Sequence, residues 1–224
     1  MPDAEISTPA SPLAPSVSSA SDAAAPRKRP KPGERRVQIL QALAMMLEQP
    51  GADRITTAAL AARLDVSEAA LYRHFASKAQ MFEGLIEFIE QSVFTLVNQI
   101  QDKVANGSDL SSGANQAGRI VAMLVQFAEK NPGMTRVMVG DALVYENERL
   151  QQRMNQFFDK IESTLRQCLR GAADADGSAT PTVDAQVRAS MLTSFIVGRL
   201  QRFARSGFRR SPSEHLDASL ACML

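Results

Sequence analysis

Within seven residues the chain presents a phenol, a guanidinium, an imidazole and an ammonium group: Tyr72, Arg73, His74 and Lys78. All four can donate hydrogen bonds, and the natural acceptor for such a set is a phosphate oxygen. Just upstream stand Ser67, Glu68, Ala69 and Ala70. A hydroxyl and a carboxylate can reach base edges, Glu68 accepting from a cytosine amino group, while the alanine methyls suit a thymine methyl. The major groove is about 12 Å wide, so a helix enters it only if its leading side chains are small. The spacing therefore predicts a helix that leads with a bare tip and grips the backbone with a loaded end. Thr56 and Thr57, at the start of the helix before it, add hydroxyls and free amides for another phosphate.

Such a helix must be anchored by its other face. Leu71 and Phe75, spaced i and i+4, serve that role. Ser67 can cap the first amides, with Val66 and Leu71 at the two staple positions. ITTAALAARL repeats the pattern, with Thr56 as cap and Ile55 set to pack on Leu60. It closes near Leu64, and Asp65-Val66-Ser67 makes the turn of a helix-turn-helix. A helix over about 34–49, striped by Val37, Leu40, Leu43 and Leu47 and stopped by Pro50-Gly51, completes the unit. Taken singly, Thr56 and Ser67 read equally as plain caps and His74 as an ordinary half-buried histidine. The order of the whole set is what favours DNA.

After Ser77-Lys78 the apolar period predicts a long helix to about Ala105, with Met81 or Phe82, Leu85, Ile89, Val93, Leu96 and Ile100 as its seam. The Gly107–Gly113 stretch reads as a loop. A helix follows over about 115–130, halted by Asn131-Pro132-Gly133, then shorter pieces to Glu146. Long helices are expected over about 147–170 and 183–206, with a surface loop over 171–182 and a short helix after Ser213. On the last long helix Met191, Phe195, Gly198 and Arg202 form one side and Leu192, Ile196 and Leu200 an adjacent one. A helix apolar over so much of its girth buries more than one face, which predicts a homodimer and hence a palindromic site on double-stranded DNA. No alternating β pattern occurs, so the class is all-α. The expected domains are 1–33, a disordered tail with a basic arm; 34–80, the helix-turn-helix; and 81–224, a helical dimerisation and partner-binding body.

Composition agrees with a polyanion bound at one end. The net charge is only +1 over 224 residues, yet ten Lys/Arg face five Asp/Glu between Arg27 and Lys78. The Ala/Ser/Pro-rich start to Pro26 lacks the bulk to fold. The run RKRPKPGERR, 27–36, suits a phosphate track or a minor groove. Cys168 and Cys222 lie in no ligand spacing, and His74 and His215 are the only histidines. That excludes a zinc motif and leaves no catalytic set; Glu87 and Glu90 read as solvated acids. No cofactor is expected. Neither a secretory signal nor a membrane span is evident, so a cytoplasmic protein is expected.

The 55–87 segment, ITTAALAARLDVSEAALYRHFASKAQMFEGLIE, resembles the DNA-binding domain of the TetR family. The resemblance gives the phosphate-holding roles of its L-Y-x-H-F…K pattern to Tyr72, His74 and Lys78, and implies a helical second domain that pairs two chains through its last two long helices. FIE at 88–90 and the NPGMTR…ALVYE…RLQ…RMNQ…IE string resemble a narrower branch that acts in nucleoid occlusion. Members of that branch bind chromosomal sites and block assembly of the tubulin-like division protein FtsZ. By resemblance the FtsZ surface includes Phe88, Lys130 and Asn131. Phe88 lies off the apolar seam and is expected to be exposed, although it reads equally as a flank residue packed on a neighbour. Lys130 and Asn131 also fit a simple helix end. Leu96 and Gln126 depart from the branch, which carries arginine and glycine there. The alternative is a TetR-type repressor released by a small molecule. Met123, Phe127, Met191 and Phe195 then become pocket candidates, but they read more simply as core, so no small-molecule effector is expected.

Overall fold

The computed structural model describes residues 33–49, 55–105 and 112–224, with only the backbone of Val104 and Ala105. The tail, the first part of the basic arm, the Pro50-Gly51 stop and most of the Gly107–Gly113 loop lie outside the described residues. Regular structure within them is entirely helical: α1 Glu34–Leu47, α2 Thr57–Arg63, α3 Glu68–Tyr72, α4 Lys78–Ala105, α5 Gly113–Lys130, α6 Pro132–Met138, a 3₁₀ turn Asp141–Leu143, α7 Glu148–Ala175, α8 Pro181–Arg205 and α9 Leu216–Met223.

Local chemistry sets the starts. Thr56, Ser67, Ser112 and Asn147 each accept a backbone N–H at the head of α2, α3, α5 and α7. At the head of α4 the Ser77 hydroxyl accepts from Gln80 N at 3.2 Å while Gln80 Oε1 accepts from Ala76 N at 2.9 Å, in the manner of a capping box. Pro181 opens α8, where its missing N–H costs nothing. Asn131-Pro132 does not merely halt α5. Asn131 closes α5 and opens α6 at once, its Nδ2 donating to Phe127 O at 2.7 Å.

One apolar core runs through all of these helices. It gathers α1 and α4 around Leu43, Leu47, Phe82, Leu85 and Ile86, then α5, α7 and α8 around Leu124, Phe157, Ile161, Leu192 and Ile196, all fully buried. Gly133 lets α6 lie directly on α1: a Cβ there would sit 1.9 Å from the Ala44 carbonyl oxygen. Two α4–α7 links, and a third from α4 to the segment just before α7, fasten the bundle. Lys78 pairs with Glu146, Arg149 with Glu83 at 3.1 Å, and Arg153 with Glu90 through two bonds of 3.2 and 2.7 Å. The Glu90 hydrogen bond raises the Arg153 pKa, burial opposes it, and Glu87 and Glu83 add to the rise, so this guanidinium stays charged.

Several expectations are corrected. In α1, Val37 is exposed and Ile39 takes its place in the core, because α1 is covered by α2, α4 and α6 together rather than along one narrow stripe. In α4 the buried seam ends at Val97, and Leu96 is 36% exposed. An α-helix turns 3.6 residues per turn, so a 3.5-residue seam drifts off its face over such a length. The expected 171–182 loop is mostly helical. α7 continues to Ala175 because Ala172 and Ala173 are buried, and packing overrides the roughly 1 kcal/mol that Gly171 costs a helix. Gly177, at φ 73°, closes it, with Ser178 N donating to Ala173 O. Met191 is not core but exposed, while Met123, Phe127 and Phe195 pack at the core's margin.

Candidate nucleic-acid interface and partner surface

α2 and α3 meet through a turn in which Asp65 takes φ 53° and Val66 N donates to Ala61 O at 3.0 Å. Leu71 is the one residue of α3 that is fully buried. With Phe75 it anchors the helix, as the i, i+4 spacing requires. Thr56, Ser67, Glu68, Ala69, Tyr72 and Arg73 are exposed, and Thr57, Ala70, His74 and Lys78 half-buried. The alanine tip therefore faces outward, and the loaded end stands at the same edge of the molecule.

Hydrogen bonds tie this edge together. Thr57 Oγ1 donates to Glu68 Oε2 at 2.6 Å and accepts from Tyr72 Oη at 3.5 Å. The chain Tyr72–Thr57–Glu68 spans α2 and α3 and fixes the Glu68 carboxylate, leaving Oε1 as its open acceptor. Arg36, from the end of the basic run, donates to His74 O at 2.7 Å and lies over the Phe75 ring, 4.2 Å from its centroid. That clamp of α1 on the end of α3 has no signal in sequence beyond a cation and an aromatic far apart in the chain.

Lys78 differs from the sequence expectation of an open phosphate contact. Its Nζ pairs with Glu146 and sits 5.7 Å from the Phe82 ring centroid. A phosphate reaching Lys78 must compete with that carboxylate. Glu146 was invisible to sequence reasoning because the pair joins residues 68 positions apart.

The residues expected to meet a partner lie on α4 and at the end of α5, which pack on each other. Phe88 is 41% exposed, as its place off the seam requires. Lys130 is exposed, whereas Asn131 spends its amide on the helix corner. Among the described residues no group of three or more His, Cys, Asp or Glu is placed to hold a metal, and no helix is long and apolar enough to cross a membrane. Burial raises the Cys168 pKa, which makes that thiol a poor nucleophile.

The outer side of α8 carries a second exposed surface. Val183, Val187 and Met191, each four residues apart, are 59%, 53% and 53% exposed. Gly198 continues this side, and a Cβ added there meets nothing within 4 Å. Leu192, Ile196 and Leu200 fill the core on the opposite side. The two sides that sequence assigned to α8 are thus both apolar, one covered and one not.

Comparison with known proteins agrees with both halves of this architecture. Residues 39–85 match the family of bacterial regulatory proteins of the tetR type, and residues 115–223 match a tetracyclin repressor-like C-terminal domain of the SlmA kind. Solved structures with the same fold include the fatty acid degradation regulator FadR from Bacillus halodurans, TM-score 0.68 at 14% identity over 85% of this chain and 95% of that one. Another is the regulator PfmR from Thermus thermophilus, TM-score 0.65 at 18% identity over 84% and 95%. Much nearer in sequence are the nucleoid occlusion factors SlmA of Photobacterium profundum, 50% identical with 84% of this chain and 92% of the relative covered, and of Vibrio cholerae, 50% identical with 82% and 90% covered. These relatives are regulators, not enzymes. The chain belongs to the SlmA family of nucleoid occlusion factors, built on the TetR-type helical fold.

Proposed function

We propose that two copies of the chain, paired through the outer side of α8, read a palindromic double-stranded DNA site with their α3 tips and, from the nucleoid, inhibit FtsZ assembly over the chromosome. The observation that carries this reading is the outward-facing edge of α3, bare at Ser67–Ala70 and loaded at Tyr72–His74, held by the Tyr72–Thr57–Glu68 chain. Residues 34–80 act as the reading module and 81–224 as the pairing and partner-binding body.

In this reading each residue has its own part. Leu71 and Phe75 fix α3, so Ala69 and Ala70 can approach base methyls while Ser67 and the open Glu68 oxygen take base-edge hydrogen bonds. Tyr72, Arg73 and His74 stand where the phosphates pass, and Thr56 and Thr57 stand at the neighbouring strand's backbone. Lys78 joins them by exchanging Glu146 for a phosphate. A two-fold pair of such heads fits half-sites about 34 Å apart, one helical turn of DNA. Phe88 on α4, with Lys130 at the end of α5, offers the FtsZ surface.

Co-sedimentation with FtsZ polymers tests the reading. Loss of polymer in the presence of the chain, strengthened by DNA carrying its site, is the expected result, with a tagged copy coating the nucleoid in cells. An absence of any effect on FtsZ, together with release of DNA by a small molecule, contradicts it and favours the TetR-type repressor.

A further inference from the structure

Beyond α8 the chain doubles back, and this return builds a cationic cleft that neither the DNA edge nor the α4–α5 surface uses. Ser213 Oγ donates to Glu129 Oε2 at 2.7 Å, and Ser211 Oγ to the other oxygen, so the returning segment is pinned to α5. Between it and the second half of α8 lies an open cleft of about 320 Å³, lined by Arg199, Arg202, Arg210, Glu214, His215 and Ser219 among others. That size sits at the lower end of small-molecule sites.

Arg199 forms the floor. Its Nη1 donates to Pro212 O at 2.9 Å and to Glu214 O, its Nη2 to Ser219 Oγ at 2.9 Å, and it lies over the Phe195 ring, 4.5 Å from the centroid. Every acceptor is neutral, so the guanidinium is rigidly placed with its charge uncompensated. Arg202 and Arg210 project into the same cleft and are exposed; neither guanidinium has a hydrogen bond or ion pair with any described residue. The single acid among the lining residues is Glu214, whose Oε1 lies 3.8 Å from His215 Nε2. Three arginines against Glu214 in the lining and Glu129 behind Ser211 still leave an excess of positive charge that an anion relieves, and arginine forks match phosphate oxygens two at a time.

We propose that this cleft is a binding site for a small phosphate monoester, its phosphate held by Arg202 and Arg210 above the fixed Arg199. The sequence expectation of no small-molecule effector concerns the interior of the bundle. This site lies outside it, on a return segment whose pairing with α5 has no local pattern. The proposal does not depend on the DNA-reading or FtsZ assignments.

The test titrates the full chain with adenosine 5′-monophosphate, with adenosine, and with inorganic phosphate at matched ionic strength, read by calorimetry and thermal shift. The monophosphate and inorganic phosphate should bind and raise Tm, and adenosine should not. The variant R210Q, on the return segment rather than on the pairing side of α8, should keep its ligand-free Tm, because its guanidinium has no hydrogen bond or ion pair with the described residues, and should bind the monophosphate at least about tenfold more weakly. Absence of phosphate-dependent binding in the unaltered chain overturns the proposal. So does binding that R210Q leaves unchanged, since the anion then sits elsewhere.

Discussion

The α3 edge and the outer side of α8 are both exposed, yet they are finished in opposite ways. At the α3 edge several polar groups already have partners: Tyr72 with Thr57, Thr57 with Glu68, Lys78 with Glu146, and the His74 carbonyl with Arg36. On α8, Val183, Val187 and Met191 stand in water with nothing over them, and Gly198 opens onto empty space. The first surface is complete in a single copy and exchanges partners when a ligand arrives. The second is complete only when covered. Under the proposed function, apolar exposure at regular helical spacing belongs to the pairing side, and preformed polar bonds belong to the reading side.

The largest expected effect strikes the support of the reading edge. Phe75→Ala removes a fully buried ring that also carries the Arg36 clamp, and should cost about 3–5 kcal/mol in chemical denaturation. A loss under about 1 kcal/mol would show that α3 does not depend on that anchor. Next is the uncovered side of α8. Val187→Glu should raise the dimer dissociation constant in analytical ultracentrifugation roughly thirtyfold or more, from a burial cost of about 2 kcal/mol. An unchanged sedimentation profile means that the copies pair elsewhere.

Salt titration of DNA binding sharpens the contrast. Tyr72→Ala should weaken binding to specific and random DNA alike and lower the log–log salt slope by about 0.9 for each phosphate no longer held. The partner exchange at Lys78 has an opposite sign. Glu146→Gln should tighten DNA binding by roughly twofold to fivefold, because the ammonium no longer leaves a carboxylate to reach a phosphate. Weaker binding would show that Glu146 positions Lys78 instead of competing for it. The smallest expected effect on DNA is that of Phe88→Ala, which should leave binding intact and reduce FtsZ antagonism in the co-sedimentation assay. Loss of both would make Phe88 a structural residue.

What sequence could reveal follows the range of the interactions. The caps at Thr56, Ser67 and Asn147 and the i, i+4 anchor Leu71–Phe75 are local, and the helices they start appear where the pattern puts them. The α3 edge was legible for the same reason. Everything set by distant packing was not. The α4 seam passes from Leu96 to Val97 because a 3.5-residue period drifts off one face over so long a helix, and α7 runs through Gly171 because Ala172 and Ala173 are buried. Glu146 at Lys78, Arg36 at His74 and the arginine cleft join residues with no shared periodicity. Phe88 and Lys130 came from family resemblance, and the fold adds only that both are exposed.

The central claim is that the alanine tip of α3 meets bases while its tyrosine end meets phosphates. A crystal structure of the dimer on a palindromic duplex tests it most directly. The account predicts the Ala69 methyl against a base edge in each half-site, with Tyr72 and Lys78 on phosphate oxygens and Glu146 released. Ala69 turned away from the bases in both half-sites, with Lys78 still paired to Glu146, would contradict it.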